Sequence, residues 1–403
     1  LQGELMEQTW RWWGPSDTIK LAYVRQAGAT GIVTALHDIP TGEVWTCDHI
    51  EERRRFIEAD DSLGLRWSVV ESLPVHEDIK LGEGNLTRLF DNYRLSLRNL
   101  ARSGVTTVCY NFMPVLDWCR TYHSFELPDG AIALRFNIVE FAAFDCFMVK
   151  RKNAELDYSP AVLKEAETWF ENSTESSRDQ LLSNIMAGLP GAFDRYDIDE
   201  LRGMLDRYQD IDKAALLENL RTFLCEIIPT AEEEGIRLAI HPDDPPWSIL
   251  GLPRIVGSES DIKAVLECVD SPANGLTLCM GSLGAGPNND ISSIAKRFSH
   301  DIHFAHIRNV RKFTNGSFME VEHLDGDNDV VGVMKVLLEV QARRKDKGMQ
   351  HWRIPFRPDH GLELIDDIDR PHHPGYPLIG RLKGLAEVRG VMTTLANIYQ
   401  YPI

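Results

Sequence analysis

Apolar and polar positions follow a repeating unit along this chain. A short apolar or β-branched run ends in a polar loop carrying Pro or Gly, and a stretch with apolar residues at i, i+3 and i+4 follows. The short runs span residues 31–36, 66–71, 106–111, 237–241, 276–279, 302–306 and 353–357, and residues 9–13, ahead of Gly14-Pro15, make an eighth. The helical stretches span 18–27, 48–62, 85–103, 213–234, 258–269, 329–345 and 379–395. Strands that alternate with helices pair in parallel. Eight such units predict a closed (β/α)8 barrel over residues 6–398 rather than an open doubly wound sheet.

One interval breaks the rhythm. Residues 115–212 hold no convincing barrel strand; they carry Tyr158-Ser-Pro ahead of a helical pattern, the polar run STESSRDQ and the run LPGAFDRYDIDELRGML. The expectation is a mostly helical insertion after the fourth strand. Such insertions at a barrel end serve as lids or oligomer contacts, or decorate the fold without chemistry. A homo-oligomer is expected.

Charge and cysteine content narrow the partners. The net charge is −18, and the densest basic runs, Arg53-Arg54-Arg55 and Arg343-Arg344-Lys345, fall in helices expected at the surface. A nucleic-acid binder needs a basic face to displace phosphate counterions, and none is visible. The seven cysteines are odd in number and follow no paired spacing, as suits a reducing compartment. The opening LQGELMEQTWRWWGP lacks a charged segment followed by an apolar one, so no signal peptide is expected, and Met6 is read as the natural start. No apolar run approaches the ~18 residues of a membrane span. The expectation is a cytoplasmic protein with a small-molecule substrate and neither nucleic acid nor membrane as partner.

In a barrel of this kind the chemistry sits at the C-terminal ends of the strands. The fifth strand closes with His241, the sixth with Cys279 and the seventh with His306, and Asp359 and His360 follow the eighth. Singly, His241 and His306 read as structural histidines, Cys279 as a small buried residue and Asp359 as a turn cap. Together, on consecutive strands at one barrel end, they read as ligands of one metal. His303, three residues before His306, points to the opposite face. Two imidazoles, a thiolate and a carboxylate suit Mn²⁺, Fe²⁺ or Zn²⁺ rather than Ca²⁺ or Mg²⁺. Such an ion stabilises the enediolate formed when the carbon beside a carboxylate loses its proton. The step needs a base and an acid. His360 is placed for one role; Tyr376, His372 and His373, in one later loop, compete for the other. Arg308 and Arg357, at strand ends, are candidates for binding an anionic substrate or for structural ion pairs.

At these residues the chain resembles the mannonate dehydratase family. The matching segments include TWRWWGP, VTALHDIPTGEVW, WSVVESLPVHEDIK, TVCYNFMPVLDW, IHPDDPPWSILGLPRIV, NGLTLCMGS, HFAHIRN, RPDHG and PGYPLIGRLKGLAEVRG, and run from about residue 6 to residue 398. The resemblance implies a xylose-isomerase-like barrel that converts D-mannonate to 2-dehydro-3-deoxy-D-gluconate and water in hexuronate breakdown, with Mn²⁺ or Fe²⁺. It implies His241, Cys279, His306 and Asp359 as ligands and His360 and Tyr376 as the acid/base pair, in an order left open. It places His37 and Asn111 near the substrate hydroxyls, and His323, in SFMEVEHLDGDND, at the pocket. Two other readings compete. A sugar or sugar-acid isomerase or epimerase on the same barrel would use similar chemistry, but typical isomerase sites are rich in carboxylates and lack the thiolate. A DNA-repair endonuclease or a scaffold on a related barrel is opposed by the acidic balance and the single metal set.

Overall fold

The computed structural model describes residues 5–188 and 196–401. Among these residues there are twelve strands: β1 (Glu7–Arg11), β2 (Gly31–Thr34), β3 (Arg66–Glu71), β4 (Thr107–Tyr110), β5 (Tyr122–Glu126), β6 (Ile132–Phe136), β7 (Arg237–Ile240), β8 (Asn274–Cys279), β9 (Ile302–His306), β10 (Asn309–Lys312), β11 (Phe318–Val321) and β12 (Pro355–Arg357). Eight of them close into a barrel in the order β1-β12-β9-β8-β7-β4-β3-β2, every adjacent pair parallel. All eight expected strands are present, with ends shifted by a few residues. A parallel strand in a barrel is buried on both faces, so it reads as a continuous apolar run. Val33, Val69, Cys109, Ala239 and Phe304 fill the barrel interior. Outward residues such as Trp10, Ile32, Val70, Leu276 and Phe356 pack in the larger core shared with the helices.

Helices cover the outside. Three of the longest, Leu86–Arg102, Lys213–Glu233 and Val330–Asp346, begin where the side chains of Asn85, Asp212 and Asp329 accept a backbone N–H of the first turn. Two short helices between β8 and β9, Met280–Ala285 and Ile291–Arg297, were not anticipated. They have six and seven residues, too few turns for a periodicity to emerge, and the first contains two glycines. Among the described residues no helix is long and apolar enough to cross a membrane, and all seven cysteines are unbridged.

The interval between β4 and β7 begins with a hairpin, β5–β6, that the apolar pattern did not reveal. Helices follow, at Ile138–Ala143, Pro160–Asn172, Glu175–Ile185 and Ile198–Arg207; of the run LPGAFDRYDIDELRGML, residues 189–195 lie outside the described residues. A second hairpin, β10–β11, leaves the loop after β9. The two hairpins join edge to edge into an antiparallel sheet ordered β10-β11-β6-β5. Phe136 on β6 stacks on Phe318 of β11 at 5.5 Å, and Trp247, from the loop after β7, meets both edge-on. The sheet is thereby fastened to the C-terminal side of the barrel.

Candidate active site

Strand register builds the site. Cys279 pairs with His306, and His306 with Arg357, across β8, β9 and β12. Partners in a parallel register share a face, so these three side chains stand together at the barrel mouth. Phe304, two residues before His306, faces the same interior. His303 lies on the other face, where its ring packs over Gly275 and its Nε2 donates to the Pro272 carbonyl at 3.0 Å. A Cβ on Gly275 would come within 2.2 Å of that ring, which is why a glycine stands there. His241 follows β7 directly. Asp359 takes φ +62°, a left-handed conformation that Asp tolerates better than most residues, and this turn aims its carboxylate back toward the mouth.

One ligand atom each from His241, Cys279 and His306 lies within 4.8 Å of the others; among the described residues they form the one such group. The Nδ1 of His241 is 2.7 Å from the Pro242 carbonyl, which can only accept, so Nδ1 carries the proton and Nε2 presents a lone pair. That Nε2 is 3.2 Å from His306 Nδ1. The far nitrogen of His306, Nε2, lies 3.5 Å from a Glu71 carboxylate oxygen, the arrangement that orients a metal-bound imidazole. Asp359 stands beside the group, with Oδ2 3.5 Å from Cys279 Sγ and Oδ1 3.9 Å from His306 Nδ1. Two imidazole lone pairs, a thiol and an adjoining carboxylate fit a borderline transition ion.

A buried ionic network surrounds this group. Arg357 holds Glu71 with two hydrogen bonds, at 2.9 and 2.7 Å, and reaches Asp359 at 2.6 Å. Arg308 lies 3.0 Å from Asp359 and 2.7 Å from Asp244, and also pairs with Glu320. Arg120 bridges Asp244 and Glu320 at 2.7 and 2.8 Å. Burial alone would push these carboxylates up. The arginines prevail: Arg357 and His306 hold Glu71, and Arg357, His360 and Arg308 hold Asp359, well below the carboxylate range. Glu320 is brought down to about 2, against burial, by Arg308, His360 and Arg120.

His360 Nδ1 is 2.9 Å from both oxygens of Glu320. A carboxylate only accepts, so Nδ1 bears the proton and Nε2 is the free basic nitrogen. Arg308 Nη1, 3.1 Å from the same Nδ1, donates to Glu320 instead. The Tyr376 ring meets the His360 ring edge-on at 4.9 Å. Gly375, at φ +80°, makes the turn that brings this loop in, and its carbonyl accepts from Gly361 at 3.0 Å.

A cavity opens here, lined by His241, Arg308, Arg357, Asp359, His360, Tyr376 and Asn111, among others. Of the three candidates in the late loop, Tyr376 lines it. His373 packs on Trp13 at 4.6 Å, and His372 is turned toward Glu363. His37 does not line it; its Nε2 meets Arg11 at 3.1 Å. His323 was expected at the pocket, but its Nε2 donates to the Pro358 carbonyl at 2.6 Å, bracing the residue before Asp359. Arg308 and Arg357 both face the cavity and both are committed to carboxylates. Sequence reasoning missed Glu71, Arg120, Asp244 and Glu320. Asp244 alone left a signal, in the acidic pair that follows His241 and Pro242.

The model of the D-mannonate dehydratase (UxuA) family matches residues 6–401. A mannonate dehydratase from Marinomonas sp. (strain MWYL1) is 51% identical over 387 residues, covering 96% of this chain and 98% of the relative. One from Chromohalobacter salexigens is 51% identical over 394 residues, 98% of this chain and 100% of the relative. Among solved structures, mannonate dehydratase from Streptococcus suis serotype 2 aligns with a TM-score of 0.77 at 32% identity, covering 100% of this chain and 97% of that one. Fold, mouth and relatives together define a hydro-lyase on a (β/α)8 barrel. The chain belongs to the D-mannonate dehydratase family.

Proposed function

We propose that the barrel mouth is where D-mannonate loses water to give 2-dehydro-3-deoxy-D-gluconate, with Mn²⁺ or Fe²⁺ held by His241, Cys279, His306 and Asp359. The observation that carries this reading is the convergence of His241, Cys279 and His306 within 4.8 Å, beside Asp359 and an imidazole oriented by Glu320. When bound, the ion supplies a Lewis acid for the charge that develops on the substrate carboxylate.

The protein's own groups divide the proton work. His360 Nε2, with Nδ1–H held by Glu320, takes the proton from C2, and the electron pair passes into the enediolate. Burial keeps the Tyr376 phenol above its ordinary pKa, with Arg357 opposing, so it arrives protonated. Its proton goes to the C3 hydroxyl, the C3–O bond breaks and water leaves. The 2-enol then transfers its hydroxyl proton to C3, giving the 2-oxo acid, and the His360 imidazolium returns a proton to Tyr376. The buried arginine–carboxylate network keeps these groups in place before substrate arrives.

Protein purified without chelator is expected to contain about one equivalent of Mn, Fe or Zn per chain and to form the 2-oxo-3-deoxy acid from D-mannonate. Chelation should remove both metal and turnover, and Mn²⁺ or Fe²⁺ should restore them. Full turnover by metal-free protein would overturn the reading.

A further inference from the structure

Besides Arg120, three buried guanidiniums stand at the barrel mouth. Arg308 and Arg357 each form ion pairs with two or more carboxylates. Arg11 is different. It closes β1 and is in register with Val33, whose side chain lies in the barrel interior, so Arg11 points inward at the same end. It is 2% exposed, and among the described residues it has no ion pair. Its Nη2 meets His37 Nε2 at 3.1 Å, while Nε and Nη1 find no acceptor among the described residues. The guanidinium lies over the Trp13 ring at 4.2 Å, which fixes its plane. The residues that act on it electrostatically, Glu71, Tyr376, Arg357 and Cys109, all line the cavity. Glu71, the carboxylate of that set, is already held by Arg357 through two hydrogen bonds.

A buried cation with two idle donors lacks an anion, and the substrate of this family is a monoanion in an otherwise acidic protein. We propose that Arg11 is the residue that receives the carboxylate of the sugar acid, through N–H groups that the protein leaves open, with His37 holding Nη2 and Trp13 the plane. Arg308 and Arg357 then serve to organise carboxylates of the protein. This inference rests on the barrel mouth being the substrate site.

The test is calorimetric, on metal-loaded protein. The ligand is the 3-deoxy analogue of mannonate, which has no C3 hydroxyl to lose and is not consumed; its primary amide offers the same remaining hydroxyls without the charge. For Arg11→Met the acid should bind about 10- to 100-fold more weakly, as expected for lost charge-assisted hydrogen bonds. Amide affinity should change less than about threefold, which also shows that the variant is folded. Arg11→Lys should recover part of the loss, since it keeps the charge without the fork. Asn111→Trp, which fills the cavity, should abolish binding of both. Acid affinity unchanged in Arg11→Met, or an equal loss of acid and amide, would overturn the assignment. Wild-type affinity in Asn111→Trp would instead overturn the location of the site.

Discussion

The two halves of the barrel mouth are built on opposite principles. Around β7, β8, β9 and β12 the charged groups pair with one another: Arg308, Arg357 and Arg120 each bond at least two acceptors, and Asp244, Glu320 and Asp359 are each held by two arginines. Around β1 and β2 donors are left open, on Arg11 Nε and Nη1 and on His37 Nδ1. Burial, backed by Arg11 and Arg53, keeps His37 well below the usual histidine pKa, so it is a neutral donor there. The first half is preorganised for charge that develops during reaction. The second carries buried donors whose lack of partners costs on the order of 1–3 kcal/mol each until a ligand supplies acceptors. Defects in the first half should therefore slow chemistry, and defects in the second should weaken binding.

The sharpest break of that contrast is at His360. Replacing it with Asn removes the imidazole that Glu320 orients and is expected to lower kcat by about 10²- to 10⁴-fold, with KM changing little. Steady-state kinetics with metal analysis of the variant checks this. A loss confined to KM would mean that His360 binds substrate and does not move protons.

A smaller effect is expected one residue further out. Glu320→Gln leaves an acceptor for His360 but removes the charge that Arg120 and Arg308 share. A drop in kcat of about 10- to 100-fold is expected at unchanged metal content, the size seen when a partner behind a catalytic or ligating imidazole is altered. Equal kcat in the two proteins would show that the network serves stability alone.

What was legible in the sequence follows the same division. The barrel strands stood out because burial on both faces leaves unbroken apolar runs, and the rule that chemistry closes each strand then led to His241, Cys279, His306 and Asp359. The network was hidden because its members come from loops and hairpins, where acidic residues are common and nothing local selects one. Glu320 and Arg120 meet across 200 residues of sequence. The β5–β6 hairpin was hidden for a related reason: its outer strand is half exposed, and the partner that completes the sheet, β11, lies far along the chain. Arg11 sat within a tryptophan-rich run whose apolar character masked the one cation in it.

The smallest effect sharpens the comparison by lying outside it. His303 shares β9 with His306, but its ring faces away from the mouth, over Gly275. Gln at this position should leave kcat and KM within about twofold. It should cost about 1 kcal/mol of stability at pH 7 through the lost bond to Pro272. Burial, reinforced by Arg237 and Arg344, holds His303 well below its ordinary value of 6.5, so the folded protein keeps it neutral where the unfolded chain takes up a proton. Acid therefore destabilises the wild type through this residue as pH falls below about 6.5, by at most about 1.4 kcal/mol per pH unit, and the Gln variant escapes that share. Denaturant unfolding of the two proteins between pH 7 and pH 5 should show the variant's deficit shrinking toward the acid end. A constant deficit would mean that His303 takes up a proton in the fold as readily as in the unfolded chain, and a large loss of turnover would mean that the alternation along β9 does not separate structure from chemistry.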